Sequence, residues 1–251
     1  MTNTRNPVGH DRCSPIRHWH RVFTLSTGIA WLACAIVADA VAAPAVGESW
    51  TYRVANGYNN EVRGRIDYRV DKVAADNISV LVTPDVPALG LQHVEVYTPE
   101  GNWLRHPLVN HNLTVEYEFA QPYPAYVFPL DTGKSWSERV YATNPATGQR
   151  NRVRVDGEVL GTERVTVPAG AYDTIKVRRR VYTGDFEGSR SETNVIEIDW
   201  YAPALGRAVR SEITSRYMDQ QQCSDEMTAC SPVRGDWNIL ELVEVSPPAR
   251  R

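Results

Sequence analysis

An eight-residue phrase occurs twice in this chain, and the repetition limits what the chain can fold into. Gly47-Glu48-Ser49-Trp50-Thr51-Tyr52-Arg53-Val54 and Gly133-Lys134-Ser135-Trp136-Ser137-Glu138-Arg139-Val140 both fit G-x-S-W-x-x-R-V. A second match follows each copy in the same order, a corner of tyrosine, proline and glycine: Tyr97-Thr98-Pro99-Glu100-Gly101, then Tyr201-Ala202-Pro203-Ala204-Leu205-Gly206. Ordered internal similarity is the mark of one supersecondary unit used more than once. The expected division is a first β unit over 43–128 and a second over 129–246, packed on the first and carrying an insertion. Residues 247–251 form a terminal tail.

No segment has the period of a long helix. Apolar residues alternate with polar ones, the pattern of half-buried strands. In Thr174–Tyr182, Ile175, Val177 and Val181 share one face, Arg179 being the exception there, while Lys176, Arg178 and Arg180 share the other. Residues 152–155, 195–200 and 239–243 repeat the alternation. Turn residues fall between these runs, at Asp156-Gly157, Pro168-Ala169-Gly170 and Gly235-Asp236. The expected fold is mainly β, an antiparallel curved sheet or half-barrel built from two related units, with little helix. Between the units, Gln121-Pro122-Tyr123-Pro124-Ala125-Tyr126-Val127-Phe128-Pro129-Leu130 is aromatic rather than flexible. Its prolines favour an extended path and its rings favour burial across the junction.

The N-terminus carries Arg5, Arg12, Arg17 and Arg21, then an uncharged run from Val22 to Val37, then Ala38-Asp39-Ala40-Val41-Ala42-Ala43. A basic segment, an apolar segment and an A-x-A site form a secretory signal peptide over 1–42, cut after Ala42 or Ala40. Cys34 offers the alternative of a lipoprotein. Either way the expected location is periplasmic or secreted, with no membrane span in the mature chain. Removing residues 1–42 takes four of 27 basic and two of 30 acidic residues, leaving 23 against 28, a net −5. Such a chain has no electrostatic reason to bind nucleic acid. Cys223 and Cys230 are the cysteines left, and in an oxidising compartment they are expected to pair. Closing so short a loop contributes about 2.5 kcal/mol.

A resemblance appears at Gly161-Thr162-Glu163-Arg164-Val165-Thr166-Val167-Pro168-Ala169-Gly170-Ala171-Tyr172-Asp173-Thr174. It resembles the strand-turn-strand signature of a broad group of uncharacterised bacterial secreted β-rich proteins, in which an aromatic residue follows a Val-Pro-Ala-Gly turn. Trp200-Tyr201-Ala202-Pro203 with Gly206, and Phe128-Pro129-Leu130 before Gly133-Lys134-Ser135-Trp136, look like two further signatures of that group. At the level of fold alone, a one-sided exported sheet is similar to the half-barrels of periplasmic lipoprotein carriers. The resemblance implies no catalytic residue and no cofactor.

Candidate sites are few. His93, His106 and His111 are the histidines of the mature chain; His106 and His111 could converge across a loop with Glu95 or Glu116 on a metal, though Pro107 excludes a helical ligand pair. Acidic pairs occur at Glu116/Glu118, Glu197/Asp199 and Glu241/Glu244, the first two spaced to put both carboxylates on one strand face. No nucleophile elbow and no redox C-x-x-C are present. Arg152 and Arg154 on one strand, with Arg178 and Arg180 on another, form a candidate anion surface unless Glu163, Glu197 and Asp199 interleave with them in cross-strand ion pairs. Trp50 and Trp136, related by the repeat, are expected as core anchors.

The sequence therefore points to an exported, non-enzymatic binding protein of the bacterial envelope, without catalytic residues, metal or cofactor, its ligand apolar or amphipathic. The alternatives are a structural or protein-interaction module that engages another envelope component, and a hydrolase with its site near His106 and His111. A carrier requires an apolar cavity of ~300 Å³ or more. Mass spectrometry of exported protein should find an N-terminus near Ala43 and a mass two hydrogens below the reduced value; a retained Cys34 would overturn the cleavage site.

Overall fold

A computed structural model of the protein describes residues 44–110, 113–183, 190–219 and 232–248, all within 40–251, the second of two compact units into which the chain divides. Twelve strands follow one another. The first six are β1 (Ser49–Asn56), β2 (Val62–Val73), β3 (Ile78–Pro84), β4 (His93–Tyr97), β5 (Trp103–Asn110) and β6 (Leu113–Tyr123). The second six are β7 (Ser135–Thr143), β8 (Arg150–Val167), β9 (Gly170–Tyr182), β10 (Arg190–Ala202), β11 (Arg207–Asp219) and β12 (Pro232–Ser246). Each strand is antiparallel to its neighbours in the chain, and β1 also pairs with β12, closing a barrel.

Closure corrects the expectation of a curved sheet or half-barrel. The β1–β12 ladder runs from Ser49↔Ser246 to Asn56↔Asn238 with one bulge, so neither terminal strand is left as an edge. Alternation along a strand reports which face is buried; it does not report what meets the strand's edge. Unpaired edge N–H and C=O groups are a liability that closure removes. Two ladders are short. β4–β5 joins through Val96↔Arg105 and Tyr97↔Trp103, and β6–β7 through Glu118↔Thr143 and Phe119↔Ala142.

The repeated phrase builds the same local structure at both places. Gly47 and Gly133 both take a positive φ, 86° and 84°. The Gly47 N–H donates to Val70 O and the Val70 N–H to Glu48 O; the Gly133 N–H donates to Val159 O and the Val159 N–H to Lys134 O. One turn on, the Thr51 hydroxyl donates to Asp67 and the Ser137 hydroxyl to Asp156, both at 2.6 Å. Each phrase opens a run of six strands, and each corner joins the fourth strand of its run to the fifth, with Gly101 and Gly206 at positive φ.

An antiparallel meander places alternate loops at opposite ends. At one end, apolar side chains such as Val54, Val82, Leu108, Val153, Val181 and Val195 are buried and fill the interior. At the other end lie the two corners, the tip of the β8–β9 hairpin and the 124–134 connection. That connection turns inward, as its rings lead one to expect: Tyr123 and Ala125 are completely buried and Tyr126 and Leu130 nearly so. The Trp136 indole N–H donates to Pro124 O at 3.1 Å. Its ring lies so close over Gly157 that a Cβ there would sit 2.0 Å from it, which reserves the position for glycine.

The outer wall carries ion pairs. Glu241 bridges Arg53 and Arg210, and Arg210 also reaches Glu212 at 2.7 Å. A membrane-spanning barrel carries an apolar band on that face instead. Among the described residues no helix is long and apolar enough to cross a membrane.

Candidate functional site

The barrel holds a cavity of about 570 Å³ that opens at the corner end, reaching Thr98–Gly101, Phe128 and Ala204–Gly206 at its rim. Its wall is rich in aromatic rings: Trp50, Tyr52, Tyr68, Tyr97, Trp103, Tyr126 and Tyr201 all face it. Two charged centres stand in its floor.

The first is built on Arg179, the charged residue in the otherwise apolar frame of β9. Alternation points it inward with Val177 and Val181, and it is 1% exposed. Its register partner on β10 is Glu197, and Asp199 lies one inward position further along that strand. Arg179 Nε donates to Glu197 Oε2 at 2.8 Å, Nη2 to Asp199 Oδ2 at 2.7 Å, and Nη1 to Ala125 O at 3.1 Å. Three hydroxyls complete the centre: Tyr123 donates to Glu197 at 3.0 Å, Tyr126 to Asp199 at 2.8 Å, and Ser211 to Asp199 at 2.6 Å. Burial by itself would raise the Asp199 carboxyl, but the charge of Arg179 and the donated hydrogen bonds hold it below the usual range. One guanidinium thus serves two carboxylates; Arg179 and Asp199 fasten the 124–130 connection to the wall through Ala125 O and Tyr126, and Glu197 holds the end of β6 through Tyr123.

The second centre is built on Glu95 of β4. His106 Nδ1 of β5 approaches Glu95 Oε1 to 3.1 Å, His93 Nε2 lies 3.4 Å from the same oxygen, and the Tyr97 hydroxyl donates to Oε2. The His106 contact has the distance of an ion pair without the alignment of a hydrogen bond. Trp103 stacks on the His106 ring, centroids 3.7 Å apart. Burial opposes the charge on Glu95, but the His106 charge and the contacts from His106, His93 and Tyr97 bring its pKa down to about 2. His93 moves the other way: burial lowers it, and its contacts with Glu95 and Leu91 O more than restore it, leaving it raised.

The two centres occupy matching places. Glu95 and Asp199 each stand two residues before a corner tyrosine, Tyr97 or Tyr201. His106 and Ser211 each stand five residues after a corner glycine, Gly101 or Gly206, and each contacts the acid of its own half. At the rim, Arg207 pairs with Glu48 at 2.7 Å and lies 3.5 Å over the Trp50 ring, which also stacks with Tyr68 at 5.6 Å between centroids.

Glu197 and Asp199 are therefore interior groups, not members of the outer arginine face. That outer face carries other partners: Arg178 pairs with Glu158 at 2.5 Å, Arg154 with Asp156 at 3.0 Å, and Lys176 with Glu163 at 3.1 Å. Arg152 and Arg180 are exposed beside them. Glu118 faces outward to Arg105, while Tyr117 and Phe119 take the buried positions of β6, so the Glu116/Glu118 face does not join His106. His111, Cys223 and Cys230, Cys34 and the 1–42 leader lie outside the described residues. Trp50 is nearly buried in the cavity wall and Trp136 half-buried beneath Pro124. Among the described residues no three His, Cys, Asp or Glu side chains are arranged to hold a metal ion.

No protein-family model and no curated protein matches the sequence. Solved structures with partial likeness include a protein described as a lipoprotein from Parabacteroides distasonis, at 16% identity and TM-score 0.47, covering 81% of this chain and 97% of that one. A protein described as exported, with a YmcC-like fold, from Bacteroides fragilis has 16% identity, the same coverages and a TM-score of 0.43. The hypothetical lipoprotein YmcC of Escherichia coli has 10% identity and a TM-score of 0.36, covering 80% of this chain and 86% of its own. With every TM-score below one half, none of the three bears on what the cavity holds.

Replacing Arg179 by Met should destabilise the protein by about 3–5 kcal/mol in urea unfolding, because two buried carboxylates lose their counter-charge; a change within error would mean that water replaces the guanidinium. Glu95, held at about 2 against an ordinary 4.5, contributes stability that is complete above pH 4.5 and lost as pH falls through 2. The gap in melting temperature between the wild type and Glu95→Gln should narrow over that interval, and a constant gap would remove the charge from the account.

Proposed function

We propose that this is an exported bacterial envelope protein, built of two related six-strand units, that binds an apolar or amphipathic molecule without transforming it. The cavity of about 570 Å³ carries the reading: it is within the size range of small-molecule sites, walled mainly by apolar and aromatic surface, and supplied with a few fixed polar groups. Export rests on the N-terminal pattern of arginines, apolar run and A-x-A site. The strand-addition alternative has less support, since β1 and β12 satisfy one another and the barrel offers no terminal edge. A hydrolytic role for His106 has less support as well. Its contacts are a carboxylate and a stacked indole, an arrangement that fixes the ring without presenting a nucleophile.

The cavity walls are held independently of any ligand. Glu95 and Asp199 are satisfied by protein groups, so an occupant meets a pre-formed floor and loses little to reorganisation. Native mass spectrometry of protein purified from the periplasm, followed by organic extraction, should show a stoichiometric adduct of lipid size. Ile213→Trp, which fills the cavity from β11, should remove the adduct while leaving the circular dichroism spectrum unchanged. A bare polypeptide mass for the wild type, with no binding of added amphiphiles, would overturn the proposal.

A further inference from the structure

The charge of the cavity is one-sided. Glu48, Glu95, Glu100, Glu197 and Asp199 line it, opposed by Arg179 and Arg207. Counting both imidazoles at Glu95 as charged still leaves five negative groups against four positive ones. Pairing does not cancel the imbalance, because Arg179 is shared by Glu197 and Asp199 while Glu48 takes Arg207. In a partly water-excluded cavity such an imbalance acts more strongly than it would in solvent.

Glu197 offers a specific point of contact. Its side chain is 8% exposed and faces the cavity, and both hydrogen bonds that reach it, from Tyr123 and Arg179, end on Oε2. Among the described residues no donor reaches Oε1. The carboxylates of Glu95 and Asp199 differ, since each has donors or cations at both oxygens.

Both indoles of the wall are already engaged. Arg207 lies over Trp50, which also stacks with Tyr68, and Trp103 stacks with His106 and packs against Tyr123. With those rings in use, the wall suits an alkyl or polyene body better than a flat sugar or base.

Resting on the proposed binding function, we infer that the cavity takes a cationic amphiphile, its protonated amine directed inward to Glu197 and its apolar body along the aromatic wall. One feature favours the opposite sign: Arg207 Nη1 is buried without a hydrogen-bond partner at the rim. Its guanidinium is already neutralised by Glu48 and seated on Trp50, and an anion placed there would enter the field of the carboxylates below.

The test holds one dodecyl chain constant and varies its head group. Dodecylamine, dodecanol and dodecanoate are titrated into the exported full-length protein below micelle formation, followed by calorimetry and tryptophan fluorescence. Dodecylamine should bind about tenfold or more tighter than either of the others, and Glu197→Gln should erase that preference while retaining dodecanol binding. If the variant fails to fold, the ranking of head groups on the wild type decides the matter by itself. Equal binding, or a preference for dodecanoate, overturns the inference and leaves the binding function standing. Failure of all three to bind overturns both.

Discussion

Twelve strands enclose more room than their own side chains fill, and the rest of the structure follows from that excess. Eight-stranded barrels are close to the limit at which inward side chains meet across the axis. Here the inward positions at one end are mostly apolar and buried, Val54, Val82, Leu108, Val153, Val181 and Val195 among them. Toward the corner end the space has to be occupied in other ways. The chain inserts its own 124–130 connection, stations charged groups in the floor, and leaves the remainder open as the cavity.

Those three uses of the space depend on one another. The inserted connection ends up facing the wall with peptide groups such as Ala125 O and with tyrosine hydroxyls, all of which need partners once removed from water. Arg179, Glu197 and Asp199 supply them. The same ion cluster would be costly alone, since two acids and one base leave a net negative charge out of water. The Tyr123, Tyr126 and Ser211 hydroxyls spread that charge over further dipoles. The connection and the cluster satisfy one another's buried polar groups. The opposite half of the barrel has no inserted connection, and its acid, Glu95, is offset by imidazoles instead of a guanidinium. The cavity is lined by both halves and by the connection itself, through Tyr126 and Phe128.

Much of this was legible in the sequence, and what was missed has physical reasons. The duplicated phrase located equivalent turns at Gly47 and Gly133, and alternation located the strands. Arg179 was visible as the charged residue in an apolar frame, which is the signal of an interior ion. Its partners were hidden because Glu197 and Asp199 have the same spacing whether they face water or the barrel axis; only the register with β9 decides. Closure was hidden for a similar reason, because pairing between β1 and β12 joins the two ends of the chain and leaves no local trace. Glu95 and Glu116 were both candidate partners for His106; the choice of Glu95 follows from the β4–β5 corner, which brings the two strands side by side.

The short ladders give the barrel an uneven hoop strength. Among the described residues, β5 and β6 are joined to each other through seven residue pairs but to the strands on either side, β4 and β7, through two pairs each. They behave mechanically as a single stave set loosely in the cask. Local opening takes the route that breaks the fewest hydrogen bonds, so amide protons along this stave's two margins exchange before those of the β8–β9 or β10–β11 ladders. The stave carries Trp103 and His106 on its inner surface, and when it loosens, the wall around Glu95 loosens with it.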